Sequence, residues 1–226
     1  MSFTTRQPEV AVFPGTQKHI GFLAGCLILL ICCPAPRAAA TTIYTLAPGA
    51  NVTALSSSYP IGGLMVGSES TNFSTGTLNG TFTSTVYSGD MSNPYGGLTF
   101  TYLLELNGSS SDASSEFSVG GYAGFLTDVS YNQTGGEVAP SNFLRSGNGN
   151  VIHSQWFTSV ELPSGDTGAL LVIQTDAHNF GNNSGSVIDS TSQILPILAP
   201  VPEPGALSLL AIGFGALFIF RRRSSN

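Results

Sequence analysis

Between Thr41 and Pro200 the chain contains no cysteine and no lysine, and Arg145 is its single basic residue. The three cysteines, Cys26, Cys32 and Cys33, all fall in an N-terminal apolar run. The middle 160 residues are thereby denied a disulfide, a thiolate nucleophile and a Cys-based metal site. Against Arg145 stand 11 acidic residues, a local net charge of −10. An acidic body of this kind is repelled by phosphate backbones, which excludes nucleic acid as a partner. Only His153 and His178 supply imidazoles in the middle segment, and no window shows an extended helical pattern.

What is present begins with two hydrophobic ends around a polar middle. Residues 1–19 are polar and mildly basic, Ile20 to Cys33 is an apolar stretch of 14 residues, and Pro34-Ala35-Pro36-Arg37 breaks it. Ala38-Ala39-Ala40 then supplies small residues before Thr41. This order predicts a signal peptide over residues 1–40, cut by signal peptidase after Ala40, with Ala38 and Ala40 at the small-residue positions. As a helix the apolar stretch reaches about 21 Å, short of a ~30 Å hydrocarbon core. A lipoprotein-like box, Leu23-Ala24-Gly25-Cys26, precedes the main apolar run instead of following it and is read as a chance match.

The other end, residues 201–226, has a different order. Val201-Pro202-Glu203-Pro204 is followed by Gly205, an apolar run from Ala206 to Phe220, and Arg221-Arg222-Arg223. The two prolines lack a backbone N–H, and Pro204 holds Glu203 extended, so a helix starts no earlier than about Gly205. From Gly205 to Phe220 a helix spans about 24 Å, a minimal membrane anchor whose arginine flank stays on the cytoplasmic side.

These residues resemble the PEP-CTERM sorting signal of Gram-negative and related bacteria: the tripeptide Pro202-Glu203-Pro204, a short glycine-containing transmembrane helix, and a terminal arginine cluster. The resemblance covers about residues 201–223. It implies that exosortase, a membrane-embedded transpeptidase-like enzyme, recognises Pro202, Glu203 and Pro204, cuts near them, and passes the protein to the cell surface or the extracellular matrix. Arg221, Arg222 and Arg223 are then the cytoplasmic basic flank. The C-terminal helix ties the chain to the inner membrane only until processing.

The middle segment, residues 41–200, is rich in glycine, serine, threonine and asparagine, together 76 of 160 residues. Apolar and aromatic residues nevertheless recur with period two. Strands are expected over Gly80–Tyr87, Leu98–Leu106, Glu116–Val119, Tyr122–Val129, Val151–Val160, Ala169–Thr175 and Gln193–Leu198. Between them stand turn clusters such as Asn107-Gly108, Gly135-Gly136, Gly147 to Asn150, Ser164-Gly165-Asp166 and Asn182 to Gly185. Many short strands without helices predict an all-β, antiparallel β-sandwich or jelly-roll-like ectodomain. Ala169 to Ile173 should be covered on both faces, and Trp156 and Phe157 should be core neighbours.

Convergent chemistry is scarce. His153 lies mid-strand on one face with Val151 and Gln155, the setting of a satisfied histidine. Asp176 and His178 supply at most half of a metal site. The ectodomain contains no G-x-S-x-G, and the D-x-[DN]-x-[DN]-G calcium loop does not occur, so neither catalytic residues nor a cofactor are assigned. Asn-x-Ser/Thr triplets at Asn51, Asn72, Asn79, Asn107, Asn132 and Asn182 are expected by chance in so Ser/Thr-rich a chain.

Three readings of function remain. The first is a non-enzymatic structural or adhesive surface protein delivered to the envelope or polysaccharide matrix. The second is a carbohydrate-binding module that stacks exposed aromatics (Tyr87, Tyr95, Tyr122, Tyr131 or Trp156) on sugar rings of extracellular polysaccharide. The third is a secreted hydrolase built on carboxylates such as Glu105, Glu116, Glu137 or Glu161 facing each other across a cleft.

Overall fold

The computed structural model describes residues 45–57, 61–156, 161–189 and 191–202. The expected signal peptide with Ala38 and Ala40, Phe157, and the C-terminal segment from Glu203 through Arg223 lie outside the described residues. The strands are β1 (Asn51–Thr53), β2 (Leu64–Ser74), β3 (Asn79–Ser88), β4 (Thr99–Leu106), β5 (Glu116–Val119) and β6 (Thr127–Asn132). They continue with β7 (Asn142–Arg145), β8 (Ile152–Gln155), β9 (Leu170–Thr175), β10 (Phe180–Ile188) and β11 (Ser192–Pro200).

Two antiparallel sheets result, one ordered β2-β3-β4-β9-β6 and the other β1-β7-β8-β5-β10-β11. Aromatic rings join them across the core. Phe82 of β3 meets Phe117 of β5 edge-on with centroids 5.3 Å apart, and Phe100 of β4 meets Tyr122 at 6.0 Å. From β4 to β6, and again from β8 to β10, the chain changes sheet at each step. The interleaved orders β4-β9-β6 and β8-β5-β10 follow, the wrapping of a jelly roll. The all-β sandwich read from the sequence is the fold observed.

Residue alternation explains both faces. Along β3, Gly80, Phe82, Ser84 and Val86 are buried while Thr81, Thr83, Thr85 and Tyr87 face outward. The outward hydroxyls are paired across to the edge strand: Ser70 Oγ with Thr83 Oγ1 at 3.0 Å, and Thr81 Oγ1 donating to Asn72 Oδ1 at 2.9 Å. Such cross-strand pairs contribute roughly 0.2–1 kcal/mol each, so much of the Ser/Thr content is sheet surface. Ala169 to Ile173 is covered on both faces apart from half-buried Leu170, and Trp156 is buried against Phe117.

Three expectations need correction. The strand expected over Val151–Val160 spans Ile152–Gln155 and has ended by Trp156, with residues 157–160 outside the described residues. Tyr122 to Val129 is a strand only from Thr127, because Tyr122 to Leu126 forms a loop turned at Gly124 with φ +84°. Asn182 to Gly185 is no turn. It lies inside β10, where β11 pairs on one side and β5 takes up Gly185 on the other. At Gly185 a Cβ would come within 2.9 Å of the Ser118 carbonyl, so here glycine permits close strand approach.

The registers define two ends of the sandwich. Leu64 pairs with Ser88, Tyr87 with Thr99, Thr99 with Gln174 and Thr175 with Thr127, so these mark one end. Phe180 paired with Pro200 marks that end in the second sheet, and Gly67 brings the sheets together there beside Phe180 and Leu198. The chain leaves from this end, called the exit end below.

Candidate functional site

The site legible in the sequence is the sorting motif, and the structure shows how the domain hands the chain to it. β11 is an edge strand, which is where Pro196 and Pro200 are tolerated, since a central strand would need their missing N–H groups. Its last residues are held from the opposite sheet. The Leu198 N–H donates to Ser84 Oγ at 3.1 Å, and Tyr102 Oη donates to the Leu198 carbonyl at 2.8 Å. Tyr102 in turn pairs with Tyr122 Oη at 2.7 Å, and both rings are wholly buried. Burial pushes both phenols far above the usual tyrosine range, so they stay neutral donors. The last backbone bond to the fold runs from Val201 N–H to the Asn179 carbonyl at 3.2 Å. Pro202, one residue later, is exposed. A cut at or beyond Pro202 therefore leaves every β11 pairing intact, whereas a cut inside β11 would remove core residues.

The exit end is braced by Arg145. This side chain is only 2% exposed. Nε donates to the Gly149 carbonyl (2.9 Å), Nη1 to the Leu46 carbonyl and Thr127 Oγ1 (both 2.8 Å). Nη2 donates to the carbonyls of Tyr122 (2.7 Å) and Phe125 (2.9 Å). All five guanidinium donors are thus used on neutral acceptors, and burial lowers the pKa of the group from its ordinary value. Since Arg145 is the only Lys or Arg among the described residues, no such cation reaches their surface.

Asp90 organises the same end. Its Oδ1 accepts from Ser92 N (3.0 Å) and Ser92 Oγ (2.7 Å), and Oδ2 accepts from Thr99 Oγ1 (2.8 Å). Burial raises the Asp90 pKa, but the hydrogen bonds from Ser92, Thr99 and Gln174 outweigh it and leave the value below the ordinary one. Asp176 is tied as well, its Oδ1 accepting from Leu126 N at 2.9 Å, and His178 beside it is exposed.

The carboxylates weighed for hydrolysis are dispersed. Glu116 binds His153 Nδ1 at 2.6 Å and Gln155 Nε2 at 2.5 Å across the β5–β8 ladder. Burial raises its pKa, yet hydrogen bonds from His153 and Gln155 and the nearby imidazole charge bring it net below the ordinary value. Glu137 is folded onto Thr134 and Gly135 in an exposed turn, and Glu105 is exposed at the end of β4. Among the described residues no group of three or more His, Cys, Asp or Glu is placed to hold a metal. Of the aromatics considered for sugar stacking, Tyr122 and Trp156 are buried, and Tyr87, Tyr95 and Tyr131 are half-buried. The roles of Ser84 and Tyr102 had no sequence signal, since both act on Leu198, distant in the chain. Arg145 stood out as the single basic residue, but four of its five bonds go to residues 18 or more positions away.

The described residues form an acidic β-sandwich whose last strand leads to the exposed Pro202. Residues 200–224 match the PEP-CTERM protein-sorting motif, so the chain carries that motif and is an exported protein sorted by exosortase. The match covers the sorting segment and not the sandwich. No curated protein and no solved structure matches the chain.

Proposed function

We propose that this is a non-catalytic structural or adhesive protein of the cell surface or extracellular matrix, released by exosortase from a transient inner-membrane anchor. The observation that carries the reading is the exit: the fold closes at Val201, and the motif begins at the exposed Pro202. Processing there delivers an intact domain. The non-catalytic part is supported by the engagement of Asp90, Asp176 and Glu116 in bonds that hold loops and strands. Stacking on polysaccharide is the weaker reading, because Tyr122 and Trp156 are packed into the core.

The test uses one epitope inside the protein and one after Asn226. The Gly147–Asn150 turn is unsuitable for a tag, because Arg145 holds the Gly149 carbonyl. Gly135-Gly136 is exposed, and a Cβ added at either residue meets nothing within 4 Å. In the native host the internal epitope is expected outside the cell, on a product starting near Thr41, ending near Pro202 to Pro204 and lacking the C-terminal tag. Deleting Pro202-Glu203-Pro204 should trap it in the membrane. Both tags remaining on one inner-membrane species would overturn the processing reading.

A further inference from the structure

The exit end is also the apolar end. Of the eight large hydrophobic side chains exposed among the described residues, five sit there: Leu64, Met65, Val66, Met91 and Leu126. Their exposure is substantial, 72% for Leu64, 58% for Met65 and 90% for Met91. Local structure presents them. A register shift between Met65 and Gly67 makes Val66 an extra residue in β2, so three successive apolar residues stay outside the ladder's alternation. Gly63, at φ +88° and with a Cβ position 2.4 Å from the Ser88 carbonyl, packs the entry to β2 against the loop that carries Met91.

Charge is distributed in the opposite sense. At the exit end Asp90 and Asp128 are buried and Asp176 is hydrogen-bonded to Leu126 N. Glu105, Asp112, Glu161 and Asp166 lie at the other end, around the connections near Leu106, Ser114 and Leu162. Glu116, Glu137 and Asp189 are at that end too, beside the pairing of Glu116 with Ile188 and the bridge of Val138 to Gly168. A ten-residue strand such as β3 is about 33 Å long at ~3.3 Å per residue, several times the ~8 Å Debye length of physiological salt. The acidic end therefore neither attracts nor repels a surface touching the exit end.

From this we infer that the exit end is a membrane-docking face, which rests its apolar side chains in the interfacial layer of the bilayer that holds the chain's own C-terminal segment. The occupant follows from where the chain goes: Pro202 leaves this end exposed, and the apolar run begins at Ala206. A tether of so few residues makes docking intramolecular, so modest apolar affinity suffices. With no exposed lysine or arginine among the described residues, contact is apolar and independent of anionic lipid and of salt. Release by exosortase removes the tether and frees the face. The inference rests on the sorting reading for the anchor and adds the domain's orientation on the membrane.

The experiment uses the full-length chain reconstituted in phosphatidylcholine vesicles and isolated by flotation. Hydroxyl-radical oxidation is measured residue by residue, relative to the same chain in urea. Met65 and Met91 are expected to react about tenfold more slowly in vesicles, given the high effective concentration of the tethered face, while Ile194, 75% exposed on β11, keeps its rate. Replacing Met91→Asp should leave flotation intact and restore oxidation of Met65. Flotation with both methionines unprotected overturns docking and leaves the anchor standing. Protection that grows with protein-to-lipid ratio makes the occupant a second copy and overturns the bilayer. Failure to float removes the anchor and the docking inference together.

Discussion

The two ends of the sandwich solve the placement of charge differently. At the exit end a guanidinium and the Asp90 carboxylate are buried, and each is saturated with neutral hydrogen-bond partners. At the opposite end Glu105, Asp112 and Asp166 are exposed and Glu137 is folded onto Thr134 and Gly135 in a surface turn, Glu116 on His153 and Gln155 being the exception. A buried charge must be solvated by the protein, so its partners become structural determinants; an exposed charge is solvated by water and determines little. The exit end should therefore be sensitive to single changes and the acidic end tolerant of them.

The largest effect is expected from Arg145→Met. It strips hydrogen bonds from four carbonyls and the Thr127 hydroxyl, and should destabilise by roughly 3–5 kcal/mol in urea unfolding. Hydrogen exchange should rise first at Leu46, Tyr122 to Thr127 and Gly149, with the β10–β11 hairpin turn unaffected. Uniform loosening would break the distinction between the ends.

An intermediate effect is expected from acid. Asp90 and Glu116 both have folded pKa values below their ordinary ones. Their contributions are present above the unfolded carboxyl pKa of about 4 and are lost as pH falls through the depressed folded values. Asp90→Asn should destabilise by roughly 1–3 kcal/mol at neutral pH and flatten that acid limb. An unchanged limb in thermal unfolding against pH would mean that the Asp90 network adds nothing.

The smallest effect is expected at the acidic end. Asp112→Asn with Asp166→Asn removes two exposed charges and should change stability by no more than about 0.5 kcal/mol, shrinking further in high salt. A larger loss in denaturant titration would show that this end too is held by specific charge.

Legibility followed locality. Alternation located β3, β4 and β9 closely, because one buried face writes a period of two into the residues themselves. In β10 the turn-forming residues Asn182 to Gly185 are held extended by β11, with β5 joining on the other side from Gly185 onward. β1, β2 and β7 are not among the strands expected from alternation. β1 and β7 are short, and β2, eleven residues long, is bulged at Val66 and buries little more than Phe73, so its two faces differ too little to write a period of two. The sorting motif was plain because its chemistry is linear: a proline-bounded tripeptide, an apolar run and a basic flank in fixed order.

The acidic, cysteine-free, all-β character of the domain and the C-terminal motif are written in composition and short-range order. Strand pairing and sheet packing were needed to make the lone arginine interior, to bury Tyr122 and Trp156, and to bring Ser84 and Tyr102 onto Leu198. They alone put Leu64, Met91 and Leu126 at the end where the chain leaves. These are relations between residues far apart in the chain, and strand pairing and sheet packing, which composition does not encode, create them.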